Sequence, residues 1–266
     1  MQLQCLANGV MISNLFFKKM NLLSNDFLLG FLINFILISL FFRVPLMTKG
    51  GWISAGVLGS ILWGCFSWQG WSSVVIYLLL GSLVTKIGYK FKNEKGIAEK
   101  RGGKRGPENV WGSAASGLFF AIMVKLNFTN LVFYKIGFAA SFAAKLADTF
   151  GSEIGKRFGR NTYLITSFRK VESGTEGGIS LEGTAASALG AIVMSLIMFI
   201  LNIISTKYQF LIVAISGFLA TISESFIGAK FQDKYKLSNE LVNSIQTSIS
   251  SIIAIFVLIF YLKISN

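Results

Sequence analysis

The 266-residue sequence contains no histidine, two cysteines and two prolines, and only 14% of its residues are charged. The absence of histidine removes the commonest general base and the commonest ligand of zinc and haem. Cys5 and Cys65 lie far apart in the sequence and provide neither a disulfide framework nor a metal cluster. Any catalysis must therefore use carboxylates, hydroxyls, lysine, arginine or a hard cation such as Mg²⁺.

The composition is that of an integral membrane protein. Hydrophobic residues make up 53% of the chain and its mean hydropathy is +0.63, whereas soluble domains are roughly 45–50% apolar and about 25% charged. Abundant phenylalanine and scarce proline favour long helices over a β-barrel. We therefore predict an all-α, polytopic transmembrane helical bundle.

Eight apolar segments predict about 7–8 membrane spans, some of them short enough to be re-entrant. They lie near 27–42, 51–67, 71–85, 109–126, 131–147, 183–204, 208–228 and 241–262. We assign 25–266 to a single transmembrane domain. Residues 1–24 are poorly organised, and Met20 is an alternative start.

The chain has 25 basic and 12 acidic residues, a net charge of +13. The basic residues lie mostly between apolar segments, which indicates membrane orientation and contact with anionic lipid rather than nucleic acid. The positive-inside rule places the loops 86–108, 156–182 and 230–240 on the cytoplasmic face. Attraction of an anionic substrate is compatible with the same charges.

Two carboxylates follow the fifth apolar segment directly, and carboxylates at a membrane boundary are costly enough to suggest function. If the helix continues, Lys145, Asp148, Ser152 and Lys156 share one face, and Glu153 lies on an adjacent strip. Asp148 and Glu153 would then hold Mg²⁺ against phosphate oxygens. The alternative is a helix end whose carboxylates pair with neighbouring basic residues.

Segment 173–180 is rich in glycine and hydroxyl groups, so its backbone N–H groups are candidates for phosphate binding. It does not match the nucleotide-binding P-loop pattern, and a flexible linker has the same composition. Its candidate phosphate-binding residues are Gly174, Thr175, Gly177, Gly178 and Ser180.

Segment 100–109 is dense in hydrogen-bond donors, and it contributes Lys104, Arg105, Glu108 and Asn109 as candidates for phosphate binding. Attraction to the lipid surface is an equally good interpretation of its basic residues. Glu224, near the end of an apolar helix, is either a metal ligand or an interfacial residue.

Gly151, Gly155 and Gly159 repeat every four residues. In membrane helices this spacing is typical of close helix packing, which we favour over phosphate contact.

Several longer motifs resemble one family of integral membrane proteins, which includes the phytyl-phosphate kinase of tocopherol synthesis. The closest resemblance is to its cyanobacterial and plastid branch. Ser173 stands where the family pattern has proline, and Glu224 where aspartate is common. The motifs are GIAEKR (96–101), RGPENVWGSAA (105–115), ADT (147–149), SEIGK (152–156), TYLIT (162–166), GTEG (174–177), ISLEGT (179–184), ESFIGA (224–229) and NELVN (239–243).

The resemblance implies transfer of a phosphoryl group from a nucleoside triphosphate, CTP, to phytyl phosphate, in a plasma or photosynthetic membrane. A mechanism follows as a hypothesis: Asp148, Glu153 and Lys156 are catalytic, and Asp148, Glu153 and Glu224 are Mg²⁺ ligands. Ser152 joins the phosphate-binding residues of the two segments above, and the prenyl tail lies among the helices.

Two other functions remain open. A transporter or flippase of lipid phosphates also uses polar groups within membrane helices. A CTP-dependent cytidylyltransferase acting on a lipid phosphate would release pyrophosphate instead of a nucleoside diphosphate. The sequence leaves the oligomeric state open.

Overall fold

The structure is a computed structural model that describes residues 25–126 and 130–265. The predicted N-terminal segment and Cys5 lie outside these ranges. The helices are α1 (Asn25–Phe41), α2 (Lys49–Lys86), α3 (Tyr89–Glu94), α4 (Pro107–Leu126), α5 (Leu131–Phe158), α6 (Leu181–Ile200), α7 (Lys207–Ile227), α8 (Asp233–Tyr235) and α9 (Asn239–Ser265). A 3-10 helix spans Lys100–Gly103, and a π-helical turn spans Gly228–Gln232.

Helix α2 is a hairpin of two antiparallel arms. Ser67 interrupts it with φ 57° and ψ −159°. Gly51 and Gly81, near its two ends, both lie against Arg105, whereas a straight helix would separate them by about 45 Å. The two spans predicted in this region are therefore the two arms of one hairpin.

Helix α5 lies at the centre of the bundle. Residues 136–147 are all buried, and α5 contacts α2, α4, α6, α7 and α9. Small residues allow this close approach: Cβ atoms placed on Gly190 and Gly217 would lie only 2.8 Å from Leu146 O and 3.0 Å from Ala143 C. The core of the fold is thus one alanine-rich helix enclosed by its neighbours.

Gly151 and Gly155 continue this packing toward the end of α5. A Cβ atom on Gly151 would lie 3.2 Å from Gly183 O, and one on Gly155 would lie 3.4 Å from Gly183 Cα. A Cβ atom on Gly159 would meet Ser180 Oγ at 2.8 Å. The predicted packing role of the four-residue glycine repeat is therefore confirmed.

The predicted fold class is confirmed. Among the described helices, α2, α4, α6, α9 and the segment Lys207–Tyr235 that contains α7 are long and apolar enough to cross a membrane, and α1 is a shorter apolar helix. Together with α5 and the second arm of α2, these helices account for the eight predicted apolar segments.

The segment between α5 and α6 differs from the plain loop that the sequence predicts. Strands β1 (Thr162–Leu164), β2 (Lys170–Val171) and β3 (Gly178–Ile179) form an antiparallel sheet in the order β2–β1–β3. The strands are too short for a periodic hydrophobic pattern, so the sequence carries little signal for them.

The three loops predicted to share a face meet at one end of the bundle. Lys92 forms an ion pair with Glu153 at the end of α5, and Ser173 Oγ donates to Gly155 O at 3.4 Å. A Cβ atom on Gly177 would lie 2.7 Å from Ala229 Cα, just beyond α7. The cytoplasmic identity of this face stays a prediction.

Candidate functional site

A cavity of about 650 Å³ lies where these loops meet. Its walls come from α4, α5, α6, α7, α9 and the connecting segments. Most of the sequence-predicted site residues line it: Arg105, Glu108, Asn109, Asp148, Ser152, Glu153, Lys156, Gly174, Thr175, Gly177, Gly178, Ser180 and Glu224. Residues from segments more than 100 positions apart are thus brought to one site.

Lys104 is the predicted residue that the fold leaves outside. It is exposed and does not line the cavity, whereas its neighbour Arg105 does. Arg105 is held in an extended bridge, because its N–H donates to Leu46 O at 3.0 Å and its carbonyl accepts from Thr48 N–H at 3.0 Å. Successive side chains of extended backbone point to opposite sides, so only one of the two basic residues faces inward.

Asp148 is held by a buried lysine. Lys145, 4% exposed, forms an ion pair with Asp148 and donates to Asn243 Oδ1 at 2.8 Å. Helical spacing predicts that Lys145 and Asp148 share a face, but it cannot predict Asn243, which comes from α9. The pair leaves the remaining acceptor positions of the Asp148 carboxylate free to face the cavity.

Glu153 has a different environment from the predicted one. Its carboxylate pairs with Lys92 of α3, and both side chains are almost fully buried. Lys92 also donates to Thr85 O at 2.9 Å. The sequence predicts a partner within α5 or an Mg²⁺ ion shared with Asp148, and it carries no local signal for Lys92. The predicted roles of Glu153 in catalysis and metal binding remain untested.

Glu108 and Asn109 fix one part of the cavity wall at the start of α4. Arg101 forms an ion pair with Glu108 and donates to Asn109 Oδ1 at 3.1 Å. Asn109 Oδ1 also accepts from Gly106 N–H at 2.9 Å. Arg101 and Glu108 are each about two-fifths exposed, so a phosphate group can compete with Glu108 for the guanidinium.

The glycine-rich segment is a folded loop rather than a linker. Gly174 and Gly177 have φ values of +93° and +71°, which L-residues with side chains rarely adopt. Thr175 Oγ1 donates to Glu172 O at 2.8 Å, and Ser180 Oγ caps α6 by accepting from Gly183 N–H at 3.1 Å. Thr175 and Ser180 therefore have structural roles in addition to any contact with phosphate.

Seven carboxylates line this cavity, and three of them, Asp148, Glu176 and Glu224, come from α5, the glycine-rich loop and α7. Their charges act on one another. Desolvation in the cavity raises the pKa of the Glu176 carboxyl, and Asp148 raises it further, whereas Lys156 opposes the shift. A bound cation would relieve this repulsion between the carboxylates.

Within the described ranges, no three carboxylate, thiol or imidazole groups are close enough to hold a metal ion by themselves. Mg²⁺ does not require such a cluster, because it commonly takes one or two protein carboxylates together with water and substrate phosphates. Asp148 and Glu224 fit this requirement. The sequence does not predict the electrostatic interaction of Asp148 with Glu176, because Glu176 reaches the cavity only through the loop.

Three relatives match most of the chain. The membrane protein sll0875 of Synechocystis sp. is 42% identical over 212 residues, which cover 79% of this chain and 82% of that protein. Protein VTE6, chloroplastic, of Arabidopsis thaliana is 38% identical over 229 residues, covering 82% and 68%. The membrane protein MJ0933 of Methanocaldococcus jannaschii is 31% identical over 208 residues, covering 78% and 84%.

No solved structure matches the chain. Residues 32–254 match the family described as integral membrane protein DUF92, a range that includes every residue of the cavity wall. The resemblance to an integral membrane family, which the motifs indicate, is therefore confirmed. The chain belongs to the integral membrane protein DUF92 family.

Proposed function

We propose that the protein is a prenyl-phosphate kinase, which transfers a phosphoryl group from CTP to phytyl phosphate. One observation carries the proposal: the motifs that resemble the phytyl-phosphate kinase family converge on a single polar cavity at one end of a membrane bundle. That position suits a substrate with its phosphate at the membrane surface and its chain among apolar helices. The family relationship to VTE6 supports it.

The proposed reaction needs no histidine. An anionic oxygen of the prenyl monophosphate attacks the γ-phosphorus of the nucleotide, and a new P–O bond forms. The bond between the γ-phosphorus and the β–γ bridging oxygen breaks, which yields prenyl diphosphate and a nucleoside diphosphate. Because the nucleophile is already an anion, the protein mainly positions the two substrates and neutralises their charge.

Cations in the cavity supply this neutralisation. Arg105 and Lys156 line the wall, and within the described ranges neither forms an ion pair with a carboxylate. Both are therefore available to phosphate oxygens. Lys145, in contrast, is engaged with Asp148 and Asn243, and its role is to orient the carboxylate.

Asp148 and Glu224 would hold Mg²⁺, and when bound the ion would neutralise the nucleotide phosphates. Both carboxylates line the cavity, and neither pairs with Lys92 as Glu153 does. We propose that the N–H groups of the glycine-rich loop lie against one phosphate, because the positive φ values of Gly174 and Gly177 fold this loop along the cavity wall. We place this face of the bundle in the cytoplasm.

The test uses purified protein in detergent with phytyl phosphate, Mg²⁺ and each nucleoside triphosphate in turn. Mass spectrometry of the products should detect phytyl diphosphate together with a nucleoside diphosphate. The Asp148→Asn variant should lose transfer, because Asn keeps the shape and an acceptor for Lys145 but removes the charge. Asp26→Asn, at an exposed position outside the cavity, is the matched control.

Other products would identify the alternatives. Pyrophosphate with a cytidylylated lipid would establish nucleotidyl transfer. No product from folded protein, combined with movement of phytyl phosphate across a vesicle membrane, would establish transport. Near-normal turnover by Asp148→Asn would remove that residue from the proposed metal site while leaving the kinase activity in place.

A further inference from the structure

A second cavity, of about 450 Å³, lies beside the first and is lined almost entirely by apolar groups. Its walls come from α1, both arms of the α2 hairpin, α4 and Phe142 of α5. Apolar lining residues run along the first arm of α2 from Trp52 to Leu62, ten residues or about 15 Å of helix. The volume is typical of a small-molecule site, roughly 300–1,000 Å³.

The two cavities share two wall residues, Arg105 and Asn109. On one side of these residues lie the carboxylates and the glycine-rich loop, and on the other side lie aliphatic and aromatic side chains. A single molecule that contacts both sides must have a phosphate-like head and a hydrocarbon body. Free nucleotide has no such body, so the apolar cavity does not suit it.

Trp52 provides a second, independent observation. Its side chain lines the apolar cavity and the residue is 8% exposed, and in the described part of the chain nothing accepts a hydrogen bond from Nε1. In the same wall, Asn34 and Trp71 do have partners: Asn34 Oδ1 accepts from Trp71 Nε1 at 3.1 Å, and Asn34 Nδ2 donates to Gly30 O at 2.7 Å. A buried donor without an acceptor is rare and unfavourable in a native protein.

We propose that the apolar cavity binds the prenyl chain of the lipid monophosphate, with its phosphate at Arg105 and an oxygen of its head group accepting from Trp52 Nε1. This inference rests on the proposed function, and it assigns the acceptor substrate to one place in the fold. The nucleotide then occupies the polar cavity, so the two anions meet at Arg105 and Asn109.

A binding experiment without nucleotide tests the site independently of turnover. Radiolabelled phytyl phosphate and isopentenyl phosphate serve as long-chain and short-chain probes, with protein in lipid nanodiscs. Val74 lines the cavity, whereas Val57 is 48% exposed on the other arm of the hairpin and does not line it. The matched pair Val74→Phe and Val57→Phe therefore adds the same volume inside and outside the site.

Val74→Phe should weaken binding of phytyl phosphate by roughly tenfold or more, because the larger side chain takes up space in the cavity that the long prenyl chain needs. Binding of isopentenyl phosphate should be unaffected, because its short chain does not need that space. Val57→Phe should bind both probes as the unchanged protein does. Equal phytyl phosphate binding by the two variants would overturn the proposal. The proposal would also be overturned if native mass spectrometry showed that the protein keeps a bound bilayer phospholipid when phytyl phosphate is in excess.

Trp52→Phe gives a second test in case Val74→Phe does not fold. It keeps the aromatic ring and removes a donor that has no acceptor in the free protein. Phytyl phosphate should bind roughly tenfold more weakly, as expected for a lost hydrogen bond to a charged group, while the melting temperature of the ligand-free protein is not lowered. A lowered melting temperature with unchanged binding would show that Trp52 has only a structural role.

The kinase proposal and the proposed site for the prenyl chain can be refuted independently. If phytyl phosphate binds as described but no nucleotide supports transfer, the kinase proposal is wrong and the chain site stands. If phytyl diphosphate forms and Val74→Phe has no effect on its production or on binding, the chain lies elsewhere and the kinase proposal stands.

Discussion

Lys92 and Glu153 form an ion pair between side chains that are 0% and 2% exposed, across 61 positions of sequence. Lys92 Nζ also donates to Thr85 O at the end of the α2 hairpin. The pair therefore ties α2, α3 and α5 together beside the polar cavity, whose wall includes Glu153. It explains why a short helix with three charged residues among six lies against the bundle.

Removal of one partner of this pair should destabilise the protein strongly, because the other charge remains buried without compensation. We expect Glu153→Gln and Lys92→Met each to lower the free energy of unfolding by about 3–5 kcal/mol. The double variant Lys92→Met/Glu153→Leu should recover much of this loss. Denaturation in detergent with SDS, followed by circular dichroism, measures all three.

The exposed pair Arg101–Glu108 is the control for this prediction. Removal of this pair by Glu108→Gln should lower the free energy of unfolding by no more than about 1 kcal/mol, as for other surface ion pairs. Similar losses from Glu108→Gln and Glu153→Gln would contradict the argument that burial sets the difference.

Close packing around α5 predicts opposite effects of a Gly→Ala substitution on stability at two glycines. Gly190→Ala would place Cβ 2.8 Å from the backbone oxygen of Leu146, and backbone cannot move aside cheaply. We expect Gly190→Ala to lower the free energy of unfolding by about 1–3 kcal/mol. At Gly81 the nearest atoms are 3.6 and 3.7 Å away, so Gly81→Ala should be neutral or stabilising by up to about 1 kcal/mol. Thermal melts of both variants measure the contrast.

The sequence predicts the helices well because each apolar segment is a continuous run that polar or charged residues separate from the next. Helical spacing also predicts that Lys145 and Asp148 share a face if α5 continues beyond its apolar part, and the structure shows that it does continue, to Phe158. Local periodicity carries this information, since it depends only on neighbouring residues in one helix.

Tertiary contacts of the site could not be predicted in the same way. Lys92 reaches Glu153, and Asn243 reaches Lys145, only because separate helices meet at one end of the bundle. The orientation of Arg105 inward and Lys104 outward depends on one extended bridge to Met47. No local pattern encodes which of two adjacent basic residues will face a cavity.

Arg105 lies at the junction of the two cavities, so its replacement should affect both substrates. We expect Arg105→Gln to lower kcat/KM for phosphoryl transfer by roughly 10–100-fold, the effect of losing a hydrogen bond between charged groups. Arg105→Lys should restore only part of this activity, because lysine lacks the bidentate fork. The steady-state kinetics of phytyl diphosphate formation measure each variant.

Arg160→Gln removes the same charge from an exposed position after α5 that does not line the cavity. Its kcat/KM should stay within about twofold of the value for the unchanged protein, as expected for an exposed charge away from the reacting groups. Equal losses from Arg105→Gln and Arg160→Gln would indicate general attraction of anions by the basic face rather than a specific contact.

Mg²⁺ with CTP should stabilise the folded protein through Asp148 and Glu224. A ligand at about 100 times its dissociation constant contributes about 2.7 kcal/mol, or roughly 5–10 °C in melting temperature for a chain of this size. EDTA should abolish the shift, and Glu224→Gln should remove most of it, because the amide is a much weaker Mg²⁺ ligand than the carboxylate. Glu172→Gln, at an exposed position near β2 that does not line the cavity, should keep the full shift.

If Glu224→Gln and Glu172→Gln gave equal shifts, Glu224 would not be a ligand, and its exposure to the cavity would need another explanation. If CTP stabilised the protein equally with EDTA present, the nucleotide would be held by the cationic wall alone, and the proposed metal site would be wrong.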